Sequence, residues 1–363
     1  MEHAISMERL TTPWERMTNE NWLLRFIDSL LRGCGQVMFQ NNPLTGLLFL
    51  VGIFVNSALL GLAGIIGVVV STLTAVVLNA DRGAVRAGLF GYNGILTGIG
   101  IAFFLKWNLT LPVYIILASI LSSIVMMGLI NMLGPRDVPA LTAPFVITGW
   151  IFLFAVFLFN HLQPTQAIQP ALLKPSAAVQ TDLRPLPMSL TGAGLTPLNL
   201  VEAFFRGIGE VFFQDNLLTG IIFLVAILIN SRISALFAAL GSLVGMLTAL
   251  FLLGGNGHWI YHGLYGFNAV LSAIAIGGVF YVLSWQSAIY ALLCALISAI
   301  AMAAISVLLS PLGMPALTGP FVLSAWLFIL PRTGFQALHP VSLADVTNPE
   351  RIRHMYDEHA LAH

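Results

Sequence analysis

The sequence is short of charge, and this shortage excludes whole classes of protein. Of its 363 residues, 15 are Lys or Arg and 15 are Asp or Glu, so only 8% are charged and the formal net charge is zero. An ordinary soluble domain carries about 25% charged residues. Because 58% of the chain is hydrophobic, it cannot give a soluble core of this size a polar surface. A soluble enzyme and a disordered scaffold are therefore excluded, and the zero net charge gives no reason to expect nucleic acid as a partner.

Cysteine is equally scarce, and no motif for catalysis or cofactor binding is present. Cys34 and Cys294 lie in apolar or Gly-rich surroundings, which predicts neither a disulfide framework nor a metal cluster. His258 and His262 are four residues apart without a third ligand nearby, so we interpret them as loop or interface histidines. Nucleophile-elbow, zinc-protease and phosphate-loop motifs are missing. The sequence therefore predicts no enzyme, no cofactor and no metal site.

What the sequence does contain is long runs without charge. The uncharged runs cover Asn41–Ala80, Asn108–Gly134, Val138–Gln169 and Ile233–Pro331. A transmembrane helix needs about 20 apolar residues, so these runs hold several spans. The alternation over about ten residues that is typical of β-barrel strands is absent. We predict an all-α polytopic membrane protein in a lipid bilayer.

The chain also contains one unit twice, since three blocks recur in the same order. They are Gln36–Gly46 with Glu210–Gly220, Gly88–Leu96 with Gly263–Leu271, and Pro139–Phe145 with Pro315–Phe321. The offset between matching residues grows only from 174 to 176. Such a fixed order and spacing indicates an internal repeat.

Each repeat carries about five apolar spans, near 40–56, 58–78, 88–105, 111–133 and 140–160 in the first half. An odd number of spans predicts that the second repeat is inverted in the membrane. The positive-inside rule agrees: with the N-terminus in the cytoplasm and ten spans, eleven of the fifteen Lys and Arg lie inside, and the outer ones are Lys106, Lys174, Arg184 and Arg206. Parallel repeats are the alternative if a span has been miscounted.

These patterns predict five regions along the chain. Residues 1–33 form an N-terminal cytoplasmic segment, with an amphipathic helix at 20–32 that lies on the membrane surface. Residues 34–160 and 208–335 form the two membrane repeats. Residues 161–207 form a Pro-rich extramembrane linker, and 336–363 form a cytoplasmic C-terminal tail.

Matched prolines and threonines point to a substrate path. Pro139 and Pro144 flank Thr142, and the second repeat has the same arrangement around Thr318. Two prolines five residues apart predict a broken or re-entrant segment, which is tolerated at membrane depth where it is buried or lines a wet cavity. Inverted repeats place such a path at their pseudo-twofold axis, near the bilayer midplane. A purely structural kink is the alternative.

Aromatic and acceptor side chains also occur at matched positions. The aromatic residues are Phe39, Tyr92, Phe213 and Phe267. Facing aromatic plates would form a slot that selects planar solutes. Gln36 and Glu210 could supply acceptor oxygens, although a solvated helix end is the alternative for Glu210, which is close in sequence to Arg206 and Asp215.

Glycines at helical spacing predict a different feature, a close contact between helices. They are Gly88, Gly91, Gly94 and Gly98 in the first repeat and the pair Gly241 and Gly245 in the second. Small residues at this spacing let two helix backbones approach closely inside a membrane.

The doubled motifs resemble the urea transporter (urea channel) family, as a bacterial member, over about residues 30–335. The motifs are Asn42-Pro43-Leu44-Thr45-Gly46, Gly88-Leu89-Phe90-Gly91-Tyr92-Asn93-Gly94 and Pro139-x-x-Thr142-x-Pro144-Phe145, with their second copies. The chain departs slightly from the family pattern at Val138 and Met314, where the family often has Leu. The resemblance implies a homotrimer in the cell (inner or plasma) membrane, in which each protomer is a passive urea channel with its own pore and with cytoplasmic termini.

The resemblance also implies which residues contact urea. The binding regions on either side would be formed by Gln36, Val37, Phe39, Tyr92 and Leu96, and by Glu210, Val211, Phe213, Phe267 and Leu271, with Thr142 and Thr318 at the central constriction. Urea is planar, neutral and rich in N–H donors, so a row of oxygen acceptors between flat apolar walls would offset its dehydration. A channel for another small neutral amide or for ammonia is the alternative function.

Overall fold

The structure is a computed structural model, and it describes residues 13–165 and 195–361. Residues 1–12 of the N-terminal segment and 166–194 of the linker lie outside the described residues. The described part is helical, with two isolated bridges between extended segments. Its helices are α1 (Pro13–Glu20), α2 (Trp22–Gln36), α3 (Pro43–Asn56), α4 (Ala58–Val77), α5 (Arg82–Arg86), α6 (Gly91–Phe104), α7 (Leu111–Leu133), α8 (Ala143–Val156), α9 (Pro197–Gly209), α10 (Leu217–Asn230), α11 (Arg232–Leu247), α12 (Gly257–Tyr261), α13 (Gly266–Ile274), α14 (Trp285–Leu309), α15 (Gly319–Ile329) and α16 (Pro349–Leu361).

The helices repeat in order, because α2 to α8 correspond to α9 to α15 one by one. Matched caps fix where they begin. Asn42 accepts from the backbone N–H groups of Leu44 and Thr45 at the start of α3, and Asn216 accepts from that of Thr219 at the start of α10. Ser57 and Ser231 cap α4 and α11 in the same way. Asn and Ser are preferred at this position because their side-chain oxygens satisfy free N–H groups of the first turn.

Several of these helices have the length and hydropathy of membrane spans. In the described residues, four pass both criteria, and they contain α4, α7, α11 and α14. The pair α9–α10 forms a fifth unit that is bent by 73°. With α2–α3 taken as the matching unit, the apolar units of the first repeat are α2–α3, α4, α6, α7 and α8, and the second repeat has five in the same order. An odd number of units inverts the second repeat. The predicted fold class is confirmed.

The first helix of each repeat was not expected as part of the bundle. The sequence predicts a surface helix at 20–32, whereas α2 reaches Gln36 and its second half is buried, including Asp28 and Cys34. This half packs against α3 and α6. In the second repeat the matching α9 begins within the predicted linker, at Pro197. Thr196 caps it in a capping box with Asn199, so this proline starts a helix, as proline at the first helical position commonly does.

Small residues bring α4 and α6 together, as the glycine spacing predicts. A Cβ added at Gly98 would lie 2.2 Å from the carbonyl oxygen of Ala63, and one added at Gly94 would lie 1.9 Å from Ser71 Oγ. Neither position has room for a side chain. The close approach leaves α6 buried along nearly its whole length in the centre of the first repeat.

The two repeats contact each other through reciprocal pairs. Thr45 Oγ1 donates to the carbonyl of Ala226 (2.9 Å), and the matching Thr219 Oγ1 donates to that of Gly52 (3.0 Å). Phe49 packs on its own counterpart, Phe223, with ring centroids 5.0 Å apart. Contacts that repeat with the partners exchanged are the property of a twofold interface. A pseudo-twofold axis therefore runs between α3 and α10.

Candidate functional site

Two threonines meet on the pseudo-twofold axis. Thr142 Oγ1 and Thr318 Oγ1 are 2.6 Å apart, and either hydroxyl can donate to the other. Both side chains are buried. The family resemblance implies that these residues form a central constriction, and the structure brings them into direct contact. Each hydroxyl can donate only one hydrogen, so the pair together keeps one O–H and lone pairs for a further partner.

A strained turn before each threonine sets its position. Leu141 and Leu317, the residues directly before the threonines, both have φ of 51°. This left-handed conformation costs a non-glycine residue roughly 1–2 kcal/mol. A buried asparagine holds each turn: Asn93 donates to the Leu141 carbonyl (3.3 Å) and accepts from the Phe145 backbone N–H (3.1 Å).

The second repeat has the same clamp. Asn268 donates to the Leu317 carbonyl (3.3 Å) and accepts from the Phe321 backbone N–H (3.1 Å). Both asparagines are inaccessible to solvent. Both lie within the repeated sequence blocks, but the sequence alone predicts no role for them. Their signal was present, because an Asn recurring in otherwise apolar spans must find hydrogen-bond partners there.

The prolines act differently from a simple kink. Pro144 and Pro320 lie in the first turns of α8 and α15, so they start short helices there. The preceding backbone, which includes Ala140 and Leu141, is not helical, yet it is buried inside the protein. This is the condition under which irregular backbone is tolerated at membrane depth. With 14 residues, α8 is about 21 Å long, short of a bilayer core of about 30 Å.

Two tryptophans tie these segments across the axis. Trp150 Nε1 donates to the Pro315 carbonyl (3.0 Å), and Trp326 Nε1 donates to the Pro139 carbonyl (2.9 Å). The predicted broken segments of the two repeats are therefore fastened to each other, and the threonine contact between them is held from both sides.

Phe39 and Phe213 lie where each repeat inserts an aromatic ring into the other. Phe39 packs edge-to-face with Phe280 (5.6 Å) and Phe321 (6.1 Å) of the second repeat. Phe213 packs in the same way with Phe104 (5.8 Å) and Phe145 (6.1 Å) of the first repeat. Both rings are only partly buried, which leaves ring surface for another group.

Both phenylalanines also have positive φ, 63° for Phe39 and 60° for Phe213. Bulky residues rarely adopt this conformation, and such outliers cluster at functional sites. No sequence pattern predicts this conformation, since phenylalanine has no preference for left-handed backbone. The strained positions bend the chain sharply between α2 and α3 and between α9 and α10.

Tyr92 and Phe267 are matched in place but differ in bonding. The Tyr92 hydroxyl donates to the Leu141 carbonyl (2.6 Å), which Asn93 also reaches. Phe267 has no hydroxyl, so the matching Leu317 carbonyl receives Asn268 alone among the described side chains. The Leu317 carbonyl therefore accepts one side-chain hydrogen bond fewer than the Leu141 carbonyl does, and it keeps a lone pair beside the threonine contact. The predicted apolar neighbours Val37, Leu96, Val211 and Leu271 are all buried.

Gln36 and Glu210 also occupy matched positions but differ in their hydrogen bonds. Gln36 Nε2 donates to the Ala87 carbonyl (3.0 Å). Glu210 is 8% exposed, so its burial counts against a solvated helix end. The nearby Arg206 is bonded elsewhere, to Asp215 (2.5 Å), Glu202 (3.2 Å) and the Tyr261 hydroxyl (3.0 Å). No hydrogen bond joins the Glu210 carboxylate to another side chain in the described ranges.

The charged cluster around Arg206 connects α9 to α12. His262 Nδ1 lies 2.5 Å from Asp215 Oδ2, and Tyr261 donates to Glu202 (2.6 Å). This hydrogen bond raises the pKa of Tyr261, so its phenol stays protonated. In the part of the chain that the structure describes, no three His, Cys, Asp or Glu side chains are grouped to hold a metal ion.

Further polar groups inside the protein were not singled out by sequence reasoning. Thr148 on α8 and its counterpart Ser324 on α15 have buried hydroxyls without a hydrogen-bond partner. Ser122 and Ser298 form a second matched pair of this kind. Small hydroxyl residues are common in membrane helices, so their number in the sequence did not distinguish these four positions.

Comparison with known proteins agrees on one family. The family model described as "Urea transporter" matches residues 27–333. Urea transporter 1 from Ovis aries is 38% identical over 347 residues, which cover 93% of this chain and 86% of that protein. Urea transporter 1 from Capra hircus is 38% identical and that from Mus musculus 37% identical over the same length and coverage.

Proposed function

The chain belongs to the urea transporter family, and we propose that it is a passive channel that conducts urea along the interface between its two repeats. The observation that carries this proposal is the buried threonine contact on the pseudo-twofold axis. Uncharged oxygens meet there at 2.6 Å, between segments fastened by reciprocal tryptophan bonds. A neutral polar solute finds hydrogen-bond acceptors at this point, and an ion finds no opposite charge.

Dehydration is the main barrier that such a channel must lower. Moving an amide out of water without new hydrogen bonds costs roughly 2–7 kcal/mol. Oxygens offset this cost by accepting from the urea N–H groups. We assign this role to Gln36 and Glu210 on either side, and to Thr142 and Thr318 at the centre. Urea exchanges its hydrating water for these acceptors one after another along the path, as an ion does in a carbonyl-lined filter.

Aromatic rings and buried aliphatic side chains form the walls in this proposal. Phe39 and Phe213 present partly exposed rings and are braced edge-on by phenylalanines of the opposite repeat. A flat ring accepts a flat solute and excludes its hydration shell. The assigned wall residues are Phe39, Tyr92, Leu96, Val37, Phe213, Phe267, Leu271 and Val211.

Light scattering by vesicles that contain the purified protein tests the function. After a sudden inward urea gradient, we expect swelling much faster than in protein-free vesicles and without saturation at low urea. Rates equal to those of empty vesicles contradict the proposal. Saturation at low urea with a requirement for an ion gradient indicates a coupled carrier instead.

The same vesicles separate urea from the alternative permeants. Acetamide tests whether any small neutral amide passes, and a pH-sensitive dye inside the vesicles reports ammonia. We expect urea to pass faster than acetamide, because only urea carries two NH₂ groups in one plane. Equal rates would favour the general amide channel.

Assembly, membrane and sidedness complete the proposal. We expect a homotrimer in a bacterial cell membrane, with a pore in each protomer and both termini in the cytoplasm. The excess of Lys and Arg on the predicted inner side supports this orientation. Mass measurement in detergent tests the trimer, and labelling of single cysteines at each terminus in intact cells tests the sidedness.

A further inference from the structure

A groove at one end of the first repeat combines apolar walls with basic side chains. It has a volume of about 960 Å³ and lies between the beginning of α2, the end of α4 and α5. Leu73 and Val76 contribute its apolar side, and Trp22 stands at its edge with 74% of its surface exposed. An exposed tryptophan beside the end of a membrane helix marks the level of the lipid headgroups.

Three arginines converge on this groove. They are Arg25, Arg82 and Arg86, all exposed and all in its lining. Arg25 and Arg86 both donate to Asn19, one to its backbone carbonyl and the other to its side-chain oxygen, so their guanidinium groups are held close together. Among the side chains that the structure describes, no carboxylate forms an ion pair with any of the three.

One acidic residue lines the groove, and its carboxylate accepts a hydrogen bond from a helix N-terminus. Asp81 Oδ1 accepts from the Ala84 backbone N–H (2.8 Å) and caps α5. The groove therefore carries a net charge of about +2 from its three arginines and one aspartate. The positive-inside rule accounts for basic residues on this side of the membrane, but it does not account for three of them lining the same groove.

The matching face of the second repeat supplies an internal comparison. The positions that correspond to Arg25, Arg82 and Arg86 hold Asn199, Gly257 and Tyr261, at the repeat offsets of 174 and 175. The helices there are the same, since α9 and α12 match α2 and α5. The contact of α9 with α12 forms without arginines at these positions, so the three arginines are a property of one face and hence of one leaflet.

We propose that this groove binds an anionic phospholipid, with the headgroup phosphate on Arg25, Arg82 and Arg86 and an acyl chain along Leu73 and Val76. Guanidinium groups bind phosphate oxygens through paired hydrogen bonds. Basic pockets at the edge of membrane helices are recognised sites for acidic headgroups. The apolar wall selects a lipid over a soluble phosphate, because it continues from the headgroup level along α4 toward the bilayer core.

Native mass spectrometry of the full-length protein tests this site. The protein is released from micelles that contain equal amounts of phosphatidylglycerol and phosphatidylcholine, and the bound lipid is identified. We expect the wild-type protein to retain phosphatidylglycerol preferentially. Each arginine near an anionic headgroup contributes about 1 kcal/mol, or about fivefold in affinity. The double variant Arg82→Gln/Arg86→Gln should therefore bind phosphatidylglycerol roughly thirtyfold more weakly.

A matched control removes the same charge elsewhere. Arg351→Gln/Arg353→Gln changes two exposed arginines of α16, which are not in the groove, and should leave lipid binding unchanged. A second variant is expected to gain affinity, which misfolding could not explain. Asp81→Asn keeps the cap, since Asn caps helices as well as Asp does, and should bind phosphatidylglycerol about fivefold more tightly.

Three results would overturn the proposal. The first is equal phosphatidylglycerol binding by the wild type and the Arg82/Arg86 variant when that variant still conducts urea. The second is an equal loss in the α16 control, which would indicate a general charge effect. The third is displacement of the lipid by millimolar glycerol 1-phosphate, which would identify a soluble phosphate site.

Discussion

Single residues decide the polarity of the proposed pathway, and Glu210 is the one acidic residue among them. It is buried, and it stands where the first repeat has the neutral Gln36. If its role is to offer an oxygen, its charge is dispensable. If it acts as a charge, only another carboxylate can replace it.

We therefore predict different outcomes for two substitutions of this residue. Glu210→Gln keeps a carbonyl oxygen and should retain urea flux within about threefold. Glu210→Leu removes the acceptor and should lower flux about tenfold, since one lost hydrogen bond costs roughly 1–3 kcal/mol. The initial rate of vesicle swelling measures both. If both variants conduct urea at nearly the wild-type rate, Glu210 does not contribute to the pathway, and the interpretation as a solvated helix end is favoured.

At this scale the sequence predicts candidate residues but not their contacts. The threonines, the aromatic residues and Glu210 followed from matched positions in two repeats. Their bonding did not: the Tyr92 bond to the Leu141 carbonyl joins residues 49 positions apart. The positive φ of Leu141 also depends on the Asn93 clamp, a tertiary contact that local sequence preference cannot predict.

Helices are the scale at which the sequence was most informative. The expected spans near 58–78 and 111–133 correspond to α4 (Ala58–Val77) and α7 (Leu111–Leu133). By contrast, α2 and α9 were not predicted as members of the repeats. Both contain charged residues, such as Asp28 and Arg206, whereas the predicted spans lie in uncharged runs. Their charges are accommodated by ion pairs within the same helix, Asp28 with Arg32 and Glu202 with Arg206.

The close contact of α4 and α6 gives a prediction for stability. Gly98→Ala would place a methyl group 2.2 Å from the Ala63 carbonyl oxygen, so we expect a loss of about 1–3 kcal/mol from overpacking. Gly128→Ala is the matched control, because its added Cβ has no neighbour within 4 Å and alanine favours the helix by about 0.5–1 kcal/mol.

Thermal unfolding in detergent compares these two variants with the wild type. We expect a lower midpoint for Gly98→Ala and an unchanged or higher midpoint for Gly128→Ala. If Gly98→Ala unfolds at the wild-type temperature, the backbones of α4 and α6 are farther apart than the structure places them.

The whole molecule is organised by its pseudo-twofold axis. The reciprocal bonds of Trp150 with Pro315 and of Trp326 with Pro139 make the two repeats depend on each other. The sequence revealed the duplication and, through the odd number of spans, its inversion. It could not reveal which residues touch across the axis, because those contacts depend on how the two repeats pack against each other.

The central claim is that urea crosses the membrane where Thr142 and Thr318 meet, and the urea flux of Thr142 variants tests it most directly. In vesicles with equal amounts of protein, we expect Thr142→Ser to conduct at close to the wild-type rate, because it keeps the hydroxyl. Thr142→Ile replaces that hydroxyl with a larger apolar group and should reduce flux at least about tenfold while water leakage stays near normal. If Thr142→Ile conducts urea as fast as Thr142→Ser, the pathway does not pass the threonine contact.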